Sequence, residues 1–236
     1  MDRAEEIIDL LSRKYRINLE EFIVNKVKGR PLFDMIIGVL LSQNTSDKNA
    51  IRALHNLRKA FGDPLNPCMI REASPEYIEE LIKPAGMYKQ RAKNVLALAN
   101  LFCKENFTKE LIDKIKTSDP EKARDLLISL PGIGIKSADV ILNQYFEKPV
   151  FAVDTHIRRI SLRLGVVKSK NYRTISNWWM KNLPQDKYLR AHLLLITHGR
   201  RTCKARAPKC SECPIRDYCE YYKSAKGGQL CSTDTQ

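Results

Sequence analysis

The sequence predicts an all-α protein. Apolar residues recur at helical spacing along the whole chain, alternating strand patterns with hairpin dipeptides are lacking, and two segments carry a helix-start signature. Those segments are Ser74-Pro75-Glu76 and Asp119-Pro120-Glu121. Each sets a capping side chain before a proline at the first helical position, followed by an acid that suits the helix N-terminal dipole.

In chain order the amphipathic runs are Ala4–Tyr15, Leu32–Leu41, Asp47–Phe61, Tyr88–Phe102, Thr108–Ile115, Glu121–Leu130, Lys136–Tyr145, Thr155–Leu164, Tyr172–Asn182 and Tyr188–His198. They predict about ten helices, each with one apolar stripe, packed on one another in two layers. No repeat of solenoid period occurs, and no Gly/Ser-rich linker marks a boundary. The last segment, 224–236, is small and polar and is expected to fray, with Cys231 as a free thiol.

Lys and Arg number 41 against 27 Asp and Glu, a formal net charge of +14. Such an excess suits a polyanion, because each phosphate neutralised releases condensed counterions. Charge by itself leaves several polyanions open. The longest apolar run, around Met35–Leu41, is interrupted by Gly38 and falls far short of the ~20 residues a membrane span needs, so no membrane partner is expected. The acidic start, Met1-Asp2-Arg3-Ala4-Glu5-Glu6, resembles neither a secretory signal nor a transit peptide, which places the expected location in the cytoplasm or at the nucleoid.

Four of the seven cysteines form the pattern Cys203-x6-Cys210-x2-Cys213-x5-Cys219. Four thiolates on one short loop read as a metal site, either tetrahedral zinc or an iron–sulfur cluster, and ligand number does not decide between them. Lys204, Arg206 and Lys209 fill the first interval, so the metal would brace a basic loop. Cys68 and Cys103 are expected to act as small apolar packing residues.

Between two helical patterns lies Leu130-Pro131-Gly132-Ile133-Gly134-Ile135-Lys136-Ser137-Ala138. Its glycines permit a sharp turn and leave backbone N–H groups free to face a phosphate at the next helix start. This is the pattern of a helix-hairpin-helix, although a tight turn needs glycine for steric reasons too. Lys136 opens the second helix of the hairpin, and Val153-Asp154-Thr155-His156 opens another helix further on. Taken singly, Lys136 reads as a phosphate contact and Asp154 as an N-cap worth about 1 kcal/mol.

Three blocks together carry more: the hairpin above, Phe151-Ala152-Val153-Asp154-Thr155-His156-Ile157, and His198-Gly199-Arg200-Arg201-Thr202-Cys203. In order and spacing they resemble the endonuclease III family of helix-hairpin-helix DNA glycosylases, from about Pro31 to Cys219. The resemblance implies a six-helix barrel domain with the hairpin over 25–148, beside an iron–sulfur domain built from 1–24 and 149–223. It implies a bifunctional DNA glycosylase and abasic-site lyase that excises damaged, oxidised pyrimidines from duplex DNA as a monomer. Lys136 would be the nucleophilic amine, Asp154 the essential carboxylate, and Cys203, Cys210, Cys213 and Cys219 the ligands of a [4Fe–4S] cluster. Gly132, Ile133 and Gly134 would grip the DNA backbone.

The chemistry asks for such a pair. An amine attacks C1′ of the damaged nucleotide, expels the base and forms an imine, after which the 3′ phosphate leaves by β-elimination. A lysine at its ordinary pKa of about 10.4 is only about 0.04% neutral at pH 7. Burial and a helix N-terminus favour the neutral amine, whereas a carboxylate opposes it. The role that fits Asp154 is therefore to stabilise positive charge on the sugar as the base departs, or to position groups and transfer a proton.

Removing a base from the stack leaves a gap that side chains must fill. By the resemblance, Leu41–Asp47 supplies a polar plug and Gly86–Ala92 an apolar wedge. The plug position is Asn44, where the best-known relatives carry glutamine, with Gln43 just before it; the wedge is Met87. His156 reads either as a contact to sugar or phosphate or as an ordinary helix-start histidine, and Lys204, Arg206 and Lys209 would face the DNA surface. Trp178-Trp179 belongs to packing. Two rivals remain: a monofunctional glycosylase of the same superfamily, against which Lys136 argues, and a non-catalytic DNA-binding module with structural zinc.

Overall fold

The computed structural model describes residues 3–224; the expected frayed tail beyond Ser224, with Cys231, lies outside the described residues. Fourteen α-helices and short 3-10 turns make up the described chain, and no strand occurs among the described residues. In order they are α1 (Arg3–Lys14), α2 (Ile23–Val27), α3 (Leu32–Ser42), α4 (Asp47–Phe61), α5 (Pro67–Arg71), α6 (Pro75–Ile82), α7 (Tyr88–Phe102), α8 (Phe107–Thr117), α9 (Pro120–Ile128), α10 (Ile135–Gln144), α11 (Thr155–Arg163), α12 (Tyr172–Asn182), α13 (Tyr188–Arg201) and α14 (Glu220–Ser224). The all-α expectation holds. The helices beyond the expected ten are mostly single turns, too short for apolar periodicity to mark. Both proline-marked starts are real. Ser74 accepts from Tyr77 N at 3.3 Å, and Asp119 Oδ1 accepts from Glu121 N and Lys122 N at 3.0 Å each.

The chain divides into two units, Met1–Ile17 with Pro149–Gln236, and Asn18–Lys148. In the second, α3 is buried on every face from Leu32 to Leu41 and packs against α2, α4, α7 and α10. A helix apolar all round belongs in the middle of a core, and this one ends beneath the hairpin. Helices α9 and α10 flank the hairpin and are joined by a buried ion pair, Arg124 Nε donating to Asp139 Oδ1 at 2.6 Å. Arg124 also pairs with Glu121 of α9, so one buried guanidinium is shared between two carboxylates.

Cys68 and Cys103 correct an expectation. They are not packing thiols but a disulfide that ties the start of α5 to the end of α7. A sequence separation of 35 residues carries no signal of such a pairing; only the packing of α5 on α7 brings the two together.

In the other unit, α1 packs on α12 and α13, and α11 on α13. Trp179 is fully buried, stacked on Phe151 with ring centroids 5.7 Å apart, and its indole N–H donates to Ser161 Oγ at 2.9 Å. The tryptophan pair thus belongs to packing, as expected.

Candidate active site and metal centre

The hairpin turn follows from steric need at one glycine and from freedom at the other. Gly132 has φ +76°, and a Cβ there would lie 2.4 Å from Asn94 Nδ2 and 2.9 Å from Leu40 Cδ1, so no larger residue fits. Gly134 is the N-cap of α10 with φ −95°, and a Cβ there would meet nothing within 4 Å. Any bulk at Gly134 therefore projects outside the protein. The Ile133 side chain is buried and its N–H donates to Leu130 O at 3.1 Å, so this residue of the hairpin shapes the turn. Lys136 stands half-buried in the first turn of α10, where the helix dipole disfavours added positive charge.

Above the hairpin runs the turn between α3 and α4. Gln43 caps the end of α3, and its amide nitrogen donates to Gly132 O at 2.9 Å and to Ser137 Oγ at 3.1 Å. Asn44 follows in the left-handed region, φ +51°, with its side chain exposed. Asparagine tolerates that conformation better than most residues. Ser46 then caps α4, accepting from Asn49 N. Met87 also has a positive φ, +49°, at the N-cap of α7, and is 61% exposed. A strained backbone presenting a large exposed apolar side chain is unusual away from a functional surface.

Asp154 and His156 stand in the other unit. Asp154 Oδ1 accepts from Ile157 N at 2.8 Å, so the carboxylate caps α11. The extended segment before it is pinned by Tyr172 Oη, which accepts from Val153 N at 3.2 Å, and by His192 Nδ1, 2.9 Å from Ala152 O. His156 Nδ1 lies 3.0 Å from Arg159 Nη2, which also donates to Gly199 O. Burial pushes His156 below its ordinary pKa, with Asp154 opposing and Arg159 reinforcing, so its ring is neutral at pH 7.

The four-cysteine loop lines a cavity of about 290 Å³ that includes its open mouth, with Cys203, Cys210, Cys213 and Cys219 all in its wall. Among the described residues no three His, Cys, Asp or Glu side chains form a single-ion site; the thiols face a shared space instead. Burial pushes Cys213 up to about 11, and the neighbouring Cys203 and Cys219 thiolates push the same way. Cys219 is raised by burial as well. Thiols that suppress one another's ionisation suit a cationic centre, which relieves the repulsion as it displaces the protons. The residues present therefore fit an iron–sulfur group.

Sequence reasoning missed what surrounds these thiols. Arg163 Nη1 donates to Cys203 Sγ at 3.2 Å and to Lys204 O at 2.7 Å, while its Nη2 donates to Ala205 O. That one guanidinium holds the basic loop, on which Lys204, Arg206 and Lys209 are exposed. Behind Cys213 a buried chain runs from Thr202 Oγ1 to Tyr15 Oη at 2.7 Å, to His198 Nδ1 at 2.9 Å, with His198 Nε2 3.7 Å from Cys213 Sγ. Arg91 and Arg124, both buried, were also not singled out.

A glycine hairpin that opens onto a lysine, followed by a thiol-lined C-terminal loop, defines a helix-hairpin-helix base-excision repair protein. Residues 37–185 match the family model described as HhH-GPD superfamily base excision DNA repair protein. Residues 203–219 match the iron-sulfur binding domain of endonuclease III. Endonuclease III of Sulfolobus acidocaldarius is 37% identical over 225 residues, covering 94% of this chain and 97% of the relative. Endonuclease III of Escherichia coli K12 is 34% identical over 189 residues, covering 80% and 83%. Among solved structures, a trapped endonuclease III–DNA covalent intermediate superposes with a TM-score of 0.72 at 27% identity, covering 95% of this chain and 99% of that one. The chain belongs to the endonuclease III family: a base-excision-repair DNA glycosylase whose cofactor is a [4Fe–4S] cluster.

Proposed function

We propose that the protein is a bifunctional glycosylase and abasic-site lyase in which Lys136 is the nucleophile. The observation that carries this is the placement of Lys136 in the first turn of α10, directly behind a turn whose Gly134 is open to the outside. The structural relative named above was captured as a covalent intermediate with DNA, and an amine at this position supplies such a bond. The Lys136 nitrogen attacks C1′, the bond from C1′ to the base breaks, and the base leaves with its electron pair and takes up a proton. The amine loses its protons as the sugar ring opens to the imine. A proton then leaves C2′ and the C3′–O bond breaks, releasing the 3′ phosphate. Asp154 stabilises the positive charge that develops on the sugar.

Gly132 and Gly134 present backbone N–H groups to a phosphate, while Ile133, whose N–H donates to Leu130 O at 3.1 Å, shapes the turn between them; His156, Lys204, Arg206 and Lys209 extend the contact to the DNA backbone. Asn44 plugs the gap left by the lesion and Met87 wedges the stack; Gln43 is engaged with the protein itself, its amide on Gly132 O and Ser137 Oγ. The substrates are oxidised pyrimidines and abasic sites in duplex DNA, on which the protein acts as a monomer in the cytoplasm or at the nucleoid. The unit Asn18–Lys148, which carries the hairpin, would be the barrel, and the unit of Met1–Ile17 with the chain from Pro149 on, which carries the four cysteines, would be the cluster domain. Cys203, Cys210, Cys213 and Cys219 would hold the cluster, which braces the basic loop. Incubation with an oxidised-pyrimidine duplex and borohydride tests the whole reading: a covalent adduct is expected, and excision without one would assign the protein to the monofunctional class.

Two further outcomes are expected. Cys213→Ser should remove the yellow-brown colour and about four irons per chain, and should lower both melting temperature and DNA affinity; retained affinity without iron would contradict the bracing role. Gly134→Leu should leave the fold intact, because a Cβ there meets nothing, yet weaken binding to damaged and undamaged duplexes alike by about tenfold. A loss confined to damaged DNA would show that the hairpin reads the lesion instead.

A further inference from the structure

Arg91 is 3% exposed, and no carboxylate pairs with it among the described residues. Its partners are three backbone carbonyls at the end of α3: Nη1 donates to Leu40 O at 2.9 Å and to Leu41 O, and Nη2 donates to Gln43 O. Its Nε has no partner. Burying a guanidinium without an acid is costly. Here it satisfies the carbonyls of Leu40 and Leu41, both fully buried and out of reach of water, so the guanidinium closes the end of α3, and the reason for that closure lies in what it holds.

Both ends of the contact lead to that reason. Arg91 lies in the first turn of α7, and its backbone N–H donates to Met87 O at 3.0 Å, so the guanidinium and Met87 share one turn. At the other end, Gln43 is held by its carbonyl to Arg91 and by its amide to Gly132 O and Ser137 Oγ. Ser137 is the residue after Lys136. Three residues beyond Arg91, Asn94 packs so closely on Gly132 that a Cβ there would clash at 2.4 Å.

We propose that Arg91 and Gln43 form a strut that fixes the hairpin carrying Lys136 against the turns carrying Asn44 and Met87, and that both are positioning residues for the imine-forming step. The inference rests on the assignment of Lys136, Asn44 and Met87 made above. Gap-filling and attack occur at neighbouring points on the DNA, so a slip of the wedge relative to the hairpin leaves C1′ out of line with the amine. Misplacements of about 1 Å cost on the order of 10²-fold in rate. Arginine suits the task because its planar fork spans several acceptors at once, which the single ammonium of lysine does not. Glutamine suits the other end because its amide divides two protons between two acceptors.

The test uses the full, cluster-loaded protein. Gln43→Met keeps length and neutrality and removes both donors. Under single-turnover conditions on a duplex with one abasic site, its rate of borohydride-trapped imine formation should fall about tenfold. Affinity for an undamaged duplex, iron content and melting temperature should stay at the wild-type values. Arg91→Lys should give a similar loss, and the double variant should lose no more than the worse single one, because both break the same strut. If Arg91→Lys does not fold, Gln43→Met alone decides. An unchanged trapping rate overturns the proposal. So does a loss matched by equal weakening on undamaged duplex, which would make Gln43 a DNA contact, and so do single effects that multiply. Failure of the underlying assignment is distinct: it appears as an adduct that persists in Lys136→Gln, whatever the Gln43 variant does.

Discussion

Lys136→Gln should abolish the borohydride-trapped adduct and slow base excision by about 10³-fold or more, the scale on which losing a nucleophile that works as a unit with its partners registers. Binding to damaged duplex should survive, because Gln keeps a polar side chain of similar reach and leaves Gly132 and Gly134, which shape the turn, untouched. Folding should survive as well: the buried core of α10 is built from Ser137 to Leu142, and Lys136 itself is only half-buried. The informative comparison is the ratio of the two effects. A variant that binds but does not trap places the amine in the chemistry. A variant that still traps shows that another amine attacks C1′ and overturns the central assignment. A parallel loss of binding and trapping would reduce Lys136 to a phosphate contact.

How much of this was legible in the sequence differs by kind of feature. Local signals transferred well: Ser74 and Asp119 before proline cap the helices they announce, because a cap is decided by a handful of adjacent residues. The hairpin was legible for the same reason, since a turn with φ +76° at Gly132 declares itself through the residue type. The cysteine loop was legible as a metal site by spacing, and as an iron–sulfur site only through the family resemblance. Features that depend on tertiary packing were not. The Cys68–Cys103 bond joins residues with no shared pattern, and each alone reads as a packing thiol. Arg91, Arg124 and Arg163 each read as one more cation among 41 Lys and Arg, and only burial distinguishes the first two from surface charge. The contact of Gln43 with the hairpin links residues 89 apart in sequence, which no local pattern announces. Chemistry-bearing motifs were thus visible from residue type and spacing, whereas the groups that hold them in place were not.

Asp154→Asn is the second large effect, and the geometry makes it a clean one. Asp154 caps α11, and asparagine ranks with aspartate at N-caps, so the substitution keeps an oxygen to accept from Ile157 N and removes only the charge. The favourable interaction with the helix dipole goes with it, worth about 0.3–1 kcal/mol. The melting temperature should therefore fall slightly, while base excision should slow by about 10²–10³-fold, the range typical of losing one preorganised group aimed at developing charge. Cleavage of a preformed abasic site no longer involves base departure, so it should suffer less than excision. Asp154→Ala serves as the control for the cap: it should match Asp154→Asn in excision but lose about 1 kcal/mol in stability. If Asp154→Asn excises normally and melts only a little lower, the carboxylate is a helix cap and nothing more. If excision and abasic-site cleavage fall equally, its role lies in the imine chemistry common to both, not in the departure of the base.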